Sequence, residues 1–173
     1  YLHKNSLSGK VPRLDQLTAL TKMIVRQNNL TGSLPSFEHL TQIKYLDLSW
    51  NHFSGSVPSL EMLTKVEYLH LNNNVLNFSL PSFDSLTQAL DIRLNNNSIS
   101  GSVPSLEMLT QVHVLYLAHN LFNGSLPSFD SLTQAVDIRL NDNHISGHVP
   151  SFDALTRLEN LGLQRNMILG RLS

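Results

Sequence analysis

Polar and aromatic side chains that could bind a ligand or move a proton recur along this chain. They fall in two columns, two positions apart: Asp47, His70, Arg93, Tyr116 and Arg139 in the first, and Tyr45, Tyr68, Asp91 and Asp137 in the second. Carboxylates and histidines are residue types of general acid–base catalysis, whereas tyrosine and arginine carry much of the energy at protein interfaces. Which chemistry applies depends on how the chain places these groups.

A sequence repeat positions them. All seven prolines are evenly spaced, since 35 − 12 = 23 and every later step is the same, and one asparagine keeps the same step from Asn5 to Asn166. Between them the chain repeats L-x-x-L-x-L-x-x-N-x-L, as in residues 40 to 62. A period of about 20–29 residues with this pattern is the signature of a leucine-rich repeat.

Each repeat contains a short alternating run that predicts a strand, as in residues 45 to 49. Leu46 and Leu48 would point inward and Tyr45, Asp47 and Ser49 outward, because side chains alternate across a strand. Stacked copies then form a parallel sheet whose outward side we call the concave face. The repeated asparagine is interpreted as structural, since an inward amide can satisfy backbone groups that the turn leaves unpaired.

Two further segments complete the repeat. A second extended segment, at 54–57 in one copy and 77–80 in another, contains a glycine in every copy except at Phe78, which we expect to distort its copy. After the proline, Ser-Phe-Asp or Ser-Leu-Glu predicts a short 3₁₀ or helical turn on the convex side, because serine is a good N-cap and acids favour a helix start. The acids form a convex column that we interpret as solvated charges.

The composition limits the partners. The formal net charge is −1 and only 14% of residues are charged, so there is no basic stripe for nucleic acid. The chain has no cysteine, which excludes disulfides and thiolate chemistry. We interpret residues 1–173 as one leucine-rich-repeat domain, seven full repeats with partial ends, from the interior of a longer chain, so a membrane would be met only through parts outside it.

The outer half of the motif carries a family resemblance. The segments L-T-G-S-L-P from Leu30 to Pro35 and F-S-G-S-V-P from Phe53 to Pro58 resemble the plant-type leucine-rich repeat, L-x-G-x-I-P. That subclass occurs in plant receptor-kinase ectodomains, polygalacturonase inhibitors and protist surface antigens. The resemblance covers essentially the whole chain and implies an α/β solenoid, a right-handed superhelix from an extracellular or cell-surface protein that works in recognition or adhesion.

An enzyme is not expected. A serine, a histidine and an aspartate would have to converge in a cleft, and a smooth sheet provides none. The eight histidines show no HExxH or other metal-ligand spacing. We therefore predict no catalytic residue, no metal and no cofactor.

The concave face is the predicted binding surface for a protein or peptide. Its candidate contacts are Tyr45, Asp47, Trp50, Tyr68, His70, Asp91, Arg93, Tyr116, Asp137 and Arg139. A competing interpretation treats Asp91 with Arg93, and Asp137 with Arg139, as solvated ion pairs worth under roughly 1 kcal/mol each. Four N-x-S/T sequons, at Asn29, Asn77, Asn96 and Asn123, would carry glycan in a secreted glycoprotein, Asn77 and Asn123 foremost because they share a column.

Two functions remain open at this point. The varied aromatic and charged columns favour a recognition module. Near-identical blocks at 79–97 and 125–143 favour a structural solenoid, which would act as a spacer or self-assemble into a coat or filament.

Overall fold

The computed structural model describes residues 2–170, in which fifteen short strands alternate between two sheets. The seven-stranded sheet contains β2 (Lys22–Ile24), β4 (Tyr45–Asp47), β6 (Tyr68–His70), β8 (Asp91–Arg93), β10 (Val114–Tyr116), β12 (Asp137–Arg139) and β14 (Asn160–Gly162). The eight-stranded sheet contains β1 (Ser8–Gly9), β3 (Asn29–Ser33), β5 (His52–Gly55), β7 (Val75–Phe78), β9 (Ser98–Ser102), β11 (Leu121–Ser125), β13 (His144–His148) and β15 (Met167–Leu169). Neighbouring strands within each sheet are parallel, so the chain is a parallel-strand solenoid, as predicted.

The core lies between the two sheets. Leu46, Leu48 and Leu69 of the first sheet's coils are fully buried, and so are Phe53 and Phe122 of the second. Each such side chain contributes roughly 1.5–3 kcal/mol through burial. This confirms the predicted inward positions of the strand leucines.

A ladder of asparagines ties each coil to its neighbours. In Asn120, Nδ2 donates to the carbonyl oxygens of Leu94 and Leu117 at 3.0 and 3.2 Å, and Oδ1 accepts the N–H of Ile99 at 3.0 Å. The same pattern recurs at Asn51, Asn74 and Asn143. The structural interpretation of this asparagine is confirmed.

Residues 2–170 contain no helix, so the fold is a parallel-strand β-solenoid and not the predicted α/β solenoid, and the predicted helical turns are not confirmed. Among residues 2–170 the segment after each proline forms two successive turns and no helix, as shown by the bonds from Leu86 N to Phe83 O and from Ala89 N to Leu86 O. Phe83, Leu86 and Ala89 are all buried, so every third residue faces the core, as successive i→i+3 turns place them. An α-helix, with 3.6 residues per turn, would rotate them progressively off the core side. The serine does cap the first turn, since Ser82 Oγ accepts the N–H of Asp84 at 3.0 Å.

The second strands begin two residues earlier than predicted, at His52 and Val75 in place of 54 and 77. The asparagine ladder explains the shift, because Asn74 Oδ1 holds the N–H of Phe53 and so orders the chain directly after the ladder. Phe78 does not distort its copy: it pairs with Ile99 in the register used by the other coils. The strain lies in its backbone instead, with φ at 66° in the left-handed region.

No helix of a length and hydropathy sufficient to cross a bilayer occurs in the described part of the chain.

Candidate recognition face

Strand pairing places the predicted columns side by side. Tyr45 pairs with Tyr68 and Tyr68 with Asp91, while Asp47 pairs with His70 and His70 with Arg93. The same register continues through β10 and β12. Adjacent strands are about 4.8 Å apart, so side chains of one column are direct neighbours.

The first group on this face is an aromatic cluster of Tyr45, Tyr68 and His70. The two tyrosine rings stack with centroids 5.0 Å apart, and His70 meets them edge-on at 5.7 and 6.4 Å. Lys22 Nζ lies 4.5 Å from the centroid of Tyr45. Both geometries are favourable for aromatic rings, so the cluster is ordered before any ligand arrives.

Two carboxylates lie beneath this cluster. Asp47 is only 2% exposed and accepts hydrogen bonds from the N–H and the hydroxyl of Ser49, at 3.1 and 2.6 Å. His70 spans the two acids, with Nδ1 4.0 Å from Asp47 Oδ2 and Nε2 3.3 Å from Asp91 Oδ1. The second contact is at the outer limit of a hydrogen bond, and buried Nε2 has no better-placed partner among residues 2–170.

Asp47, Ser49 and His70 therefore do converge, contrary to the expectation of no such grouping. Their order is not that of a nucleophilic triad, in which histidine contacts the serine hydroxyl and the aspartate orients the histidine. Here the hydroxyl donates to the carboxylate, and Ser49 is itself buried. The arrangement fixes side chains, and the buried Ser49 hydroxyl is turned to Asp47 and not presented to a ligand.

The second group is an Arg–Tyr–Arg cluster of Arg93, Tyr116 and Arg139. The two guanidinium carbons lie 5.1 and 4.5 Å from the Tyr116 centroid. Arg93 donates hydrogen bonds to the Asp91 carboxylate from Nε and Nη2, at 2.8 and 2.7 Å. Arg139 donates to the Asp137 carboxylate from the same atoms, at 3.0 and 2.8 Å. The Tyr116 hydroxyl also donates to Asp137 Oδ2, at 2.7 Å.

The interpretation of these Asp–Arg pairs as solvated is wrong for the carboxylates. Asp91 and Asp137 are each 8% exposed, because arginine and aromatic side chains from the same and adjacent strands cover them. Burial alone would raise the pKa of Asp91, but hydrogen bonds from His70 and Arg93 outweigh it and hold that pKa below its ordinary value. The pKa of Asp137 is lowered in the same way, against burial, by Arg139 and Tyr116.

Shallow depressions run along the face. One of about 340 Å³ is bordered by Arg26, Trp50 and Asn72 around the aromatic cluster. A second, of about 260 Å³, lies beside Tyr116 and is lined by amides, including Asn95 and Asn141. Trp50 is 55% exposed at the rim, with φ at 54°. All ten predicted contacts thus lie on this one face.

Sequence reasoning missed Lys22 and Arg26 as members of the face. Both stand one repeat before predicted positions, Lys22 before Tyr45 and Arg26 before Ser49, so the repeat itself was the signal. The buried Oδ1 of Asn95 has no hydrogen-bond partner in the described part of the chain.

The four sequon asparagines are all exposed. Asn29, Asn77 and Asn123 lie in outer strands, in β3, β7 and β11. Asn96 lies in the turn at φ 56°, where its Nδ2 donates to Asn73 Oδ1 at 3.0 Å. Within residues 2–170 no group of three or more histidine, aspartate or glutamate side chains is placed to hold a metal ion.

Comparison with known proteins identifies the class. A family model for the Leucine Rich Repeat matches residues 42–61. Similar solved structures include a TDR receptor, at 30% identity and a TM-score of 0.88 over 96% of this chain. The ectodomain of the Arabidopsis thaliana receptor kinase GASSHO1/SCHENGEN3, in complex with CASPARIAN STRIP INTEGRITY FACTOR 2, is 29% identical over 96% of this chain, with a TM-score of 0.91.

The Arabidopsis receptor kinase HAESA, in complex with the peptide hormone IDA and the co-receptor SERK1, is also 29% identical, over 95% of this chain and with a TM-score of 0.89. The present chain is built from leucine-rich repeats of the plant type. It spans only 30%, 21% and 29% of the three receptor chains. A sequence comparison with curated proteins gives no match.

Proposed function

We propose that this chain is a non-enzymatic recognition or adhesion module, extracellular or at the cell surface, that binds a protein or peptide on its concave face. The observation that carries the proposal is that ordered aromatic and guanidinium groups face outward while the carboxylates that hold them are buried. The ligand would contact Tyr45, Trp50, Tyr68, His70, Arg93, Tyr116 and Arg139, with the buried Asp47, Asp91 and Asp137 beneath them.

Preorganisation is the physical reason for this proposal. Binding costs roughly 0.5–1.5 kcal/mol for each flexible side chain that it immobilises. Arg93 and Arg139 are already fixed by two-pronged contacts to their aspartates, and Tyr116 is held between them. The contacts to aspartate use Nε and Nη2, which leaves Nη1 of each guanidinium outside these pairs as a donor for a ligand.

The related receptors support a peptide or protein as the ligand. GASSHO1/SCHENGEN3 is in complex with CASPARIAN STRIP INTEGRITY FACTOR 2, and HAESA is in complex with the peptide hormone IDA and the co-receptor SERK1. Both structures share this fold at 29% identity. The GASSHO1/SCHENGEN3 structure is the ectodomain of a plant membrane receptor kinase, which supports a location outside the cell for this chain.

The test is selection of binding peptides from a random phage-displayed library, followed by calorimetric Kd measurement. Tyr45→Ala with Tyr68→Ala removes the stacked pair and is expected to weaken a selected peptide at least tenfold, since hot-spot aromatics cost about 2 kcal/mol or more. Glu61→Ala, exposed on the convex side, is the matched control. Peptides bound equally well by both variants would overturn the proposal.

The alternative function, a spacer or self-assembling element of a coat or filament, remains a prediction from the sequence. Sedimentation of the 173-residue chain over a range of concentrations separates the two. A recognition module is expected to keep one discrete size, whereas a self-assembling element would form growing polymers.

A further inference from the structure

Phe78 is an anomaly in an otherwise regular array. In the other interior coils glycine holds the same place, with φ between 73° and 81°, where a side chain is disfavoured. Phe78 adopts φ 66° there, and its side chain is 63% exposed. The coil thus holds a strained backbone and an uncovered aromatic ring at one point.

A modification sequence surrounds this ring. Asn77, Phe78 and Ser79 form a sequon, and all three residues are exposed at the end of β7. Val75, two positions before the asparagine on the same side of the strand, adds a second exposed apolar side chain. Phe78 departs from extended strand geometry at φ 66°, so simple alternation does not apply to its side chain. An attached sugar would begin on the side of Val75 and one residue from the exposed Phe78 ring.

We propose that Asn77 carries an N-linked glycan whose first N-acetylglucosamine packs on the ring of Phe78. The proposal rests on the extracellular location in the proposed function. The axial C–H groups of a pyranose form an apolar face, and an aromatic ring presents a negative face that favours such contacts. Covering the ring also removes apolar area from water.

The attachment uses an oligosaccharide carried on a polyprenyl diphosphate, the co-reactant of secretory glycosylation. The Asn77 amide nitrogen bonds to the anomeric carbon of the first sugar while the bond from that carbon to the diphosphate oxygen breaks. Nδ2 loses one proton to a base, and polyprenyl diphosphate leaves. No change in oxidation state is involved.

The other sequons lack this arrangement. Asn123 has the equivalent place two coils later, but the residue after it is Gly124, so its glycan would have no ring. The residue after Asn29 is Leu30, which is buried. The Asn96 amide is already engaged with Asn73.

The test produces the 173-residue chain in a secreting eukaryotic cell line and compares melting temperatures. Ser79→Ala abolishes the Asn77 sequon while keeping the Cβ atom, and it is made in the wild type and in Phe78→Gly. The Asn77 glycan is expected to raise the Tm by about 2–4 °C in the wild type and by nothing measurable in Phe78→Gly. Ser125→Ala, which removes the Asn123 glycan, is the matched control and should leave the Tm unchanged.

Enzymatic trimming provides an independent measurement without mutation. Cutting the glycan back to a single N-acetylglucosamine should preserve the Tm, because only the first sugar packs on the ring. An unmodified Asn77 peptide in mass spectrometry, or an equal Tm change in both backgrounds, would overturn the proposal. Selected peptides are measured on the same variants, so a failure of concave-face binding is read separately from a failure of the glycan contact.

Discussion

Replacing one ladder asparagine should lower the free energy of unfolding by an amount that follows from the hydrogen bonds it loses. In Asn120→Ala the N–H of Ile99 loses the Oδ1 acceptor at 3.0 Å. The carbonyls of Leu94 and Leu117 each keep another donor, Asn97 or Asn143. One buried N–H without a partner costs about 1–3 kcal/mol, and we expect the free energy of unfolding to fall by that amount.

Urea unfolding followed by circular dichroism measures this loss, and Asn123→Ala, an exposed asparagine in the next strand of the chain, is the control. That control should stay within about 0.5 kcal/mol of wild type. Amide exchange should accelerate at Ile99 and stay unchanged at Phe53, whose N–H is held by Asn74. Equal stability of the two variants would refute the structural role of the ladder.

Three further outcomes are expected. Leu94 is fully buried, and Leu94→Asn should lower the free energy of unfolding by about 2–5 kcal/mol in urea unfolding. Arg93→Ala should lower it by less. The pKa of Asp91 is lower in the folded protein than the value of 3.8 for an unfolded chain, so its ionised form stabilises the fold above pH 3.8. This stabilisation is lost as the pH falls through the folded pKa. The Tm advantage of wild type over Asp91→Asn should therefore disappear in melts at acid pH. Phe78→Gly in unglycosylated protein should raise the Tm, because it relieves about 1–2 kcal/mol of left-handed strain; an unchanged or lower Tm would contradict that strain.

Much of the fold could be predicted because every repeat has the same length and the same pattern of apolar residues. The positions of Leu46 and Leu48, the pairing of Tyr45 with Tyr68 and the role of the ladder asparagine follow from the period and strand alternation. The turns after the prolines could not be settled in this way. A serine cap and an acid suit both a helix and a pair of turns, and the sequence pattern does not distinguish them. The structure shows two separate i→i+3 bonds and no continuing helix.

The site was predictable as a face and not as a set of contacts. The period places His70 next to Asp47 and Arg93, but it does not show that Asp47 is buried and bonded to Ser49. The burial of Asp91 also depends on side-chain conformations in two neighbouring strands. This burial arises from side-chain packing between neighbouring coils, which the sequence repeat does not predict.

Photo-crosslinking tests the central claim, binding on the concave face, most directly. A library-selected peptide carrying a benzophenone is irradiated with the 173-residue chain, and the labelled residues are found by mass spectrometry. We expect labels within β4 to β12 of the seven-stranded sheet, near Tyr45, Tyr68 and Tyr116. Labels confined to the eight-stranded sheet or to the convex turns would contradict the claim.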